Sequence, residues 1–251
     1  MRPDHPAVGV LALGLARRLG LPDDTALLPD DAPAAGAEPR RIEVVRPDGA
    51  EAEVLALPWA TVVAGPAWFT RACRGVPAEA LGVESALLRT AVRAAAGEAV
   101  RSRGEFTLYA AEEPPPVDPS RTVAVSDDPA HVHAVVAQAP ADDVAEAGVP
   151  SWESSVALVP DDGAGRAIEA AVAAAGHRVT GGVLASLGTL TPPRLRGRGL
   201  GRYAVAVAMD RAALEGLLPF AEVPAGHTAA HHVAIAAGLE AAGTRTVLAL
   251  D

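Results

Sequence analysis

The chain has 251 residues, half of them apolar but only 3% aromatic, so its core must consist largely of alanine, valine and leucine. Such small side chains let backbones pack closely, which favours a layered α/β fold. The net charge of −10 argues against a nucleic-acid partner, because nucleic-acid binding needs a basic face. With no apolar run of the roughly 20 residues that span a bilayer and no secretory signal, we expect a cytoplasmic protein without membrane contact.

The first 117 residues predict a smaller, accessory α/β region without a chemical motif. We expect this region to form an accessory or dimerising layer, and a homodimer stays open. Its single cysteine, Cys73, excludes an internal disulfide and is expected to be a structural thiol. The predicted elements are a helix over residues 8–19 closed by Gly20, a β-hairpin of residues 41–46 and 51–57, a long helix over residues 77–101, and a strand around residues 106–109.

A proline-rich segment at residues 111–120 separates this region from the rest of the chain. Its three consecutive prolines favour an extended conformation. We therefore place a boundary near Val117, giving domains of residues 1–117 and 118–251. The second domain is predicted to contain a strand over residues 121–126, helices over 129–138 and 141–147, a strand over 154–160, an ambiguous segment at 166–175 and a strand over 179–191.

The strongest chemical signal is the loop RLRGRGLG at residues 194–201, between a predicted strand and an amphipathic helix that ends before Gly216. Gly197, Gly199 and Gly201 let the backbone turn tightly and come close to an anion. The first amides of a helix lack internal partners, and the helix dipole favours negative charge there. Strand, loop and helix together predict a cradle for a pyrophosphate group.

Arg196, Arg198 and Arg202 would add charge-assisted contacts to that cradle. The loop lacks the GxxxxGK[ST] pattern of nucleotide triphosphatases, since the chain contains no lysine, and it does not match the GxGxxG of dinucleotide-binding folds. A surface turn of the same composition without a ligand is the alternative interpretation.

The segment from Leu190 to Gly201 resembles motif A of the GNAT superfamily of N-acetyltransferases, whose core is [Q/R]xxGx[G/A]. The resemblance covers residues 121–251. It implies an α/β fold with a mixed, mostly antiparallel sheet, splayed after the motif A strand and flanked by helices, and acetyl-CoA or CoA as co-substrate. By position it implies pantetheine contacts at Gly188, Thr189 and Leu190, and pyrophosphate contacts at Arg196, Gly197, Arg198, Gly199, Leu200 and Gly201.

The elements that follow motif A in the family also have counterparts here. They are a strand at residues 217–223, a helix at 227–237 that ends at Gly238, and a closing strand at 244–251. His227 stands where the family usually has asparagine, and by position it is assigned to the cofactor site. On this resemblance residues 166–175 would form a strand rather than a helix.

Acyl transfer to an amine needs a base for the amine and a proton for the leaving thiolate. Glu222 resembles the general base of ribosomal-protein alanine acetyltransferases, although an ordinary strand residue is the competing interpretation. Ala234 replaces the tyrosine that many members use as the acid, so His231 becomes a candidate for that role. His227 and His231 are four residues apart but have no evident third ligand, and we predict no metal.

We therefore predict an acyltransferase that moves an acetyl or other acyl group from CoA to an amine of a small molecule. A different donor such as aminoacyl-tRNA is one alternative, which the acidic net charge disfavours. A non-enzymatic CoA-binding or assembly module is the other, because the family's asparagine, serine and tyrosine are replaced.

Overall fold

The computed structural model describes residues 1–2, 4–23, 27–28, 39–47, 49–95, 99–116, 123–160 and 170–250. The predicted fold class is confirmed, because mostly antiparallel strands are flanked by helices. No described helix has the length and apolarity needed to cross a membrane. In chain order the elements are α1 Val8–Arg18, β1 Arg40–Val45, β2 Glu51–Ala56, β3 Ala60–Gly65, α2 Ala67–Cys73, α3 Ala78–Leu81, α4 Glu84–Ala94, β4 Val100–Ala110, β5 Val123–Ser126, α5 Pro129–Val136, α6 Ala141–Glu146, β6 Ser154–Pro160, β7 Ala173–Thr180, β8 Leu184–Leu190, α7 Leu200–Leu214, β9 Leu218–Pro224, α8 Thr228–Ala236 and β10 Glu240–Leu250.

The chain divides into two compact units that are not consecutive in sequence. The first contains Met1–Tyr109, Glu222–Thr228 and Ala241–Asp251, and the second contains Ala110–Ala221 and Ala229–Glu240. This differs from the predicted division into residues 1–117 and 118–251, because the pairing of β10 with β2 brings the C-terminal strand into the first unit. Val117 itself lies outside the described residues.

The predicted hairpin between β1 and β2 is wrong, because β3 lies between them. β3 pairs in parallel with β1 and antiparallel with β2. Every residue of β3 is buried, as expected of a strand with neighbours on both edges and cover on both faces. The other edge of β2 pairs with β10, and β4 follows β10, so the strand order in the first unit is β1-β3-β2-β10-β4.

The helices of the first unit confirm one sequence prediction and correct another. α1 ends as predicted, with Gly20 in the left-handed conformation at φ 73°. The predicted long helix over residues 77–101 is instead α3 and α4, because the extended backbone of Val83, at φ −104° and ψ 118°, interrupts it. β4 then begins at Val100. The core between these helices and the sheet contains Ala52, Val54, Val63, Phe69, Cys73, Leu81, Leu87, Ala91 and Leu248.

In the second unit the strand order is β9-β8-β7-β6-β5. The strand predicted over residues 179–191 is in fact the end of β7, a turn and β8. Gly181 and Gly182 adopt left-handed φ of 58° and 73° in the three-residue turn that connects the paired residues Thr180 and Leu184. β7 begins at Ala173, and residues 166–169 of the predicted strand at 166–175 lie outside the described residues.

Helices cover both faces of this second sheet. α5 and α6 pack on one face, over a core that includes Ala174 of β7 and Leu190 of β8. α7 packs against β6, β7 and β8. It lies on the other face, since His177, three residues after Ala174, points the opposite way and contacts Glu215 at the end of α7, with Nε2 3.0 Å from Oε2. β8 therefore leads into the glycine loop between a layer formed by α5 and α6 and a layer formed by α7.

Candidate functional site

The glycine loop connects β8 to α7, as predicted. A short 3-10 turn at Pro193–Leu195 is followed by Gly197 and Gly199, with φ of 75° and 78°. Residues with a Cβ rarely adopt this left-handed conformation. A Cβ added at either glycine would have no heavy atom within 4 Å. Backbone conformation rather than packing therefore requires glycine at these two positions.

Gly201 is needed for a different reason. It lies in the first turn of α7, where an added Cβ would come within 3.3 Å of Thr191 Oγ1 and 3.8 Å of Thr189 Oγ1. The Thr189 hydroxyl donates to the Ala174 carbonyl on β7 at 3.0 Å. Gly201 thus allows the start of the helix to lie directly against the end of the strand.

The start of α7 presents backbone amides without partners. Gly199 precedes the first residue of the helix and has no side chain that could cap it. The Tyr203 amide donates to the Gly199 carbonyl at 3.1 Å, whereas the amides of Leu200, Gly201 and Arg202 have no backbone acceptor in the described part of the chain. Together with the helix dipole, these exposed donors form a site suited to an anion.

The arginines of the loop differ in what they contact. Arg196 Nε donates to the Thr191 carbonyl at 3.1 Å, and its Nη2 lies 2.5 Å from Asp143 Oδ2 on α6. Arg198 and Arg202 are exposed, and neither has an ion-pair partner among the described residues. Arg198 and Arg202 can therefore reach a bound anion, while Arg196 is already engaged.

β8 and β9 separate before β8 reaches the loop. Their parallel pairing joins Leu184 to Leu218 and ends at Ser186 with Phe220, although β8 continues to Leu190. Within these described strands, the last residues of β8 remain paired with β7 only. The backbone on this edge of β8 has no strand partner among the described residues and can hydrogen-bond a ligand, which agrees with the splay that the resemblance implies.

At Gly188, which is predicted to contact pantetheine, the surrounding protein leaves no space for a side chain. An added Cβ would lie 2.0 Å from the Ala147 carbonyl oxygen and 2.8 Å from Trp152 Nε1. That indole donates to the same carbonyl at 3.2 Å and also covers Gly176, the neighbour of Gly188 on β7. The side chain of Leu190 is buried in the core. Gly188 and Leu190 can therefore offer only their backbone to a cofactor.

Glu222, the candidate base, belongs to a cluster of ion pairs in the first unit. Arg18 Nη1 donates to Glu222 Oε1, and Arg245 Nη1 lies 3.6 Å from Glu222 Oε2. Arg245 Nε also donates to Glu53 Oε2 at 2.6 Å, and Arg46 Nη1 donates to Glu53 Oε1 at 2.9 Å. We call these five residues the charge cluster. No sequence pattern indicated it, because its members lie on separate elements.

Burial and charge act against each other in the charge cluster. Burial alone would raise the pKa of Glu53, but Arg245, Arg18 and Arg46 outweigh it, and the pKa lies below its ordinary value of 4.5. Burial would lower the pKa of Arg245, but Glu222 and Glu53 raise it above its usual value. Arg18 Nε and Nη2 are buried without a hydrogen-bond partner in the described structure.

The remaining candidates lie around α8 or in the first unit's core. The amide of His227 donates to the Pro224 carbonyl at 2.8 Å just before α8, and His231 is half-buried within that helix. The described residues contain no group of three or more His, Cys, Asp or Glu that could hold a metal. Burial raises the pKa of the Cys73 thiol to about 12, which disfavours a nucleophilic role near neutral pH.

Several solved structures that are similar to this chain are described as GNAT proteins. A GNAT-family protein from Novosphingobium aromaticivorans matches 61% of this chain and 68% of its own, at 21% identity and a TM-score of 0.45. A GCN5-related N-acetyltransferase from Sphaerobacter thermophilus matches 66% of this chain and 56% of its own, at 17% identity and 0.45. A GCN5-related N-acetyltransferase-like protein from Streptococcus suis matches 81% and 85%, at 16% identity and 0.44. At these identities the similarity concerns the fold alone.

No protein-family model matches the chain, and no curated protein is similar to it. For the Sphaerobacter protein, the match spans less than two thirds of the solved chain. Because every TM-score given above is below 0.5, we base the functional proposal on the residues of the loop.

Proposed function

We propose that the chain binds CoA at residues 194–201 and transfers an acyl group from it to an amine. The observation that supports this most is the start of α7, where the first amides after Gly199 have no backbone acceptor among the described residues and the exposed Arg198 lies beside them. A pyrophosphate matches that arrangement in charge and in its number of acceptor oxygens. The end of β8, unpaired on its β9 side, then offers backbone groups to the amide-containing arm of the cofactor.

A thermal-shift titration with CoA tests this site directly. At a CoA concentration one hundred times its Kd, binding should stabilise the protein by about 2.7 kcal/mol. Gly199→Val should abolish the shift, because the added side chain enters the space over the helix amides. Failure of saturating CoA to raise the wild-type Tm would exclude the proposed site.

Gly216→Val is the matched control for that substitution. Gly216 lies just after the other end of α7, with φ 76° against 78° at Gly199, and an added Cβ meets nothing within 4 Å at either glycine. Both variants should therefore lose similar stability without ligand, from backbone strain of about 1–2 kcal/mol. Only the variant at Gly199 should lose the CoA-dependent shift, and equal losses of that shift would mean that the helix start is not the binding site.

In the reaction, the amine nitrogen would attack the thioester carbonyl carbon, and collapse of the tetrahedral intermediate would break the carbon–sulfur bond. The amine gives up a proton, and the leaving thiolate takes one. We assign the first proton to Glu222 Oε2, which lies 3.6 Å from Arg245 and so beyond hydrogen-bond distance, while Arg18 holds Oε1. His231 is the candidate proton donor to the leaving thiolate, and solvent is the alternative proton donor.

The two alternative functions predict different binding and turnover. A CoA-binding module without catalysis would show the thermal shift but no acylation of any small amine, and the buried Ala234 in place of the family's tyrosine is the observation that favours it. An aminoacyl-tRNA-dependent transferase would respond to charged tRNA and not to acetyl-CoA. Titration with acetyl-CoA, CoA and tRNA, followed by an assay for free thiol, separates the three.

A further inference from the structure

We propose that Arg196 is a positioning residue, which Asp143 holds in place to shape the loop, and that it does not itself contact the phosphates. This inference rests on the proposed CoA site. Among the loop arginines, Arg196 is the one whose Nε and Nη2 are both engaged, by the Thr191 carbonyl at 3.1 Å and by Asp143 Oδ2 at 2.5 Å. These two nitrogens form the edge of the guanidinium that would otherwise grip a phosphate with two parallel hydrogen bonds.

The contacts of Arg196 connect the loop to the end of β8 and to α6. Its bond to Thr191 bridges the 3-10 turn and so fixes the distance between the end of β8 and Gly197. The ion pair with Asp143 fixes the same turn to α6. Shortly before it, Arg194 donates to Gln138 Oε1, and Gln138 Nε2 in turn donates to the Ala171 carbonyl at 3.2 Å, which adds a second tie to the same helical layer.

The charges also favour this division of roles. An unpaired carboxylate at Asp143 would repel a bound pyrophosphate, and pairing with Arg196 cancels that charge. Arg194, Arg198 and Arg202 have no ion-pair partner in the described structure. Arg194 is hydrogen-bonded to Gln138, which leaves Arg198 and Arg202 to face an anion. The loop thus keeps its attractive charge beyond Gly197, next to the amides that would bind the anion.

Titration calorimetry with CoA on single and double variants distinguishes positioning from direct contact. If Arg196 positions the loop, Arg196→Ala and Asp143→Ala should each weaken CoA binding by about fivefold, and the double variant should be no weaker than either, because one interaction is removed in all three. If Arg196 contacts phosphate, Asp143→Ala should leave CoA binding unchanged or tighten it, and that result would overturn the proposal. Both side chains are partly exposed, so the variants should fold.

The salt dependence of CoA binding supplies a readout that a general loss of stability would not change. Arg198→Ala is the matched control, because it also removes one loop arginine but breaks no described ion pair. A direct phosphate contact makes binding weaken more steeply with salt, so Arg198→Ala should flatten that slope. The double variant Arg196→Ala/Asp143→Ala removes both charges of the ion pair, so it should keep the wild-type slope if Arg196 only positions the loop. A flattened slope in the double variant would refute positioning. If the wild-type protein shows no heat of CoA binding, the proposed function fails together with this inference. If the wild type binds CoA and Asp143→Ala binds it equally well, only the inference fails.

Discussion

Replacing Gly188 by alanine would place a methyl group 2.0 Å from the Ala147 carbonyl oxygen and 2.8 Å from Trp152 Nε1. The first distance is far below van der Waals contact, so the Ala147 backbone must move. Overpacking of this kind costs about 1–3 kcal/mol. The displacement also breaks the 3.2 Å hydrogen bond from Trp152 to Ala147, for about 1 kcal/mol more. We expect a total loss of about 3 kcal/mol, against a typical stability of about 5–15 kcal/mol.

Urea denaturation followed by tryptophan fluorescence measures this loss, and Gly197→Ala is its control. Gly197 has φ 75° but nothing within 4 Å of an added Cβ, so only backbone strain of about 1–2 kcal/mol is expected there. The midpoint of Gly188→Ala should therefore lie clearly below that of Gly197→Ala. Equal midpoints, or a lower one for Gly197→Ala, would show that Ala147 and Trp152 do not constrain β8 in this way.

Two further predictions concern the charge cluster. Glu222→Gln should lower turnover of an amine about one hundred-fold with unchanged CoA affinity, and the defect should shrink at higher pH as the amine becomes neutral. Wild-type turnover at neutral pH would leave Glu222 a structural partner of Arg18. Glu53→Gln should cost about 3 kcal/mol near neutral pH, because it removes the charge that partners the partly buried Arg245 and Arg46. Since the pKa of Glu53 is lowered on folding, its ionised form stabilises the protein above pH 4.5 and loses this effect as pH falls through the folded-state pKa. The difference in unfolding free energy between wild type and Glu53→Gln should accordingly shrink below pH 4.5, and a constant difference would contradict the lowered pKa.

The order of strand, glycine loop and helix around residues 188–214 could be predicted from the sequence because each signal there is local. Left-handed glycines, a helix start without a side-chain cap, and a helix end at Gly216 depend on the steric and hydrogen-bonding properties of adjacent residues. The helices α5 and α6 and the strand β6 were predictable for the same reason. Gly181 and Gly182 are also a local signal, and the apolar run on both sides of them obscured the turn.

Pairing between distant segments was decided only by the tertiary structure. The alternating polarity of β1 and β2 is compatible with a hairpin, and only the strand pairing in the structure shows that β3 lies between them. The resemblance predicts a pantetheine contact at Gly188, whereas only the structure shows that no side chain fits at this position, against Ala147 and Trp152. The charge cluster joins α1, β2, β9 and β10. Because side-chain alternation along a strand defines its two faces but not its neighbours, such contacts arise only when the pairing of the strands brings their side chains together.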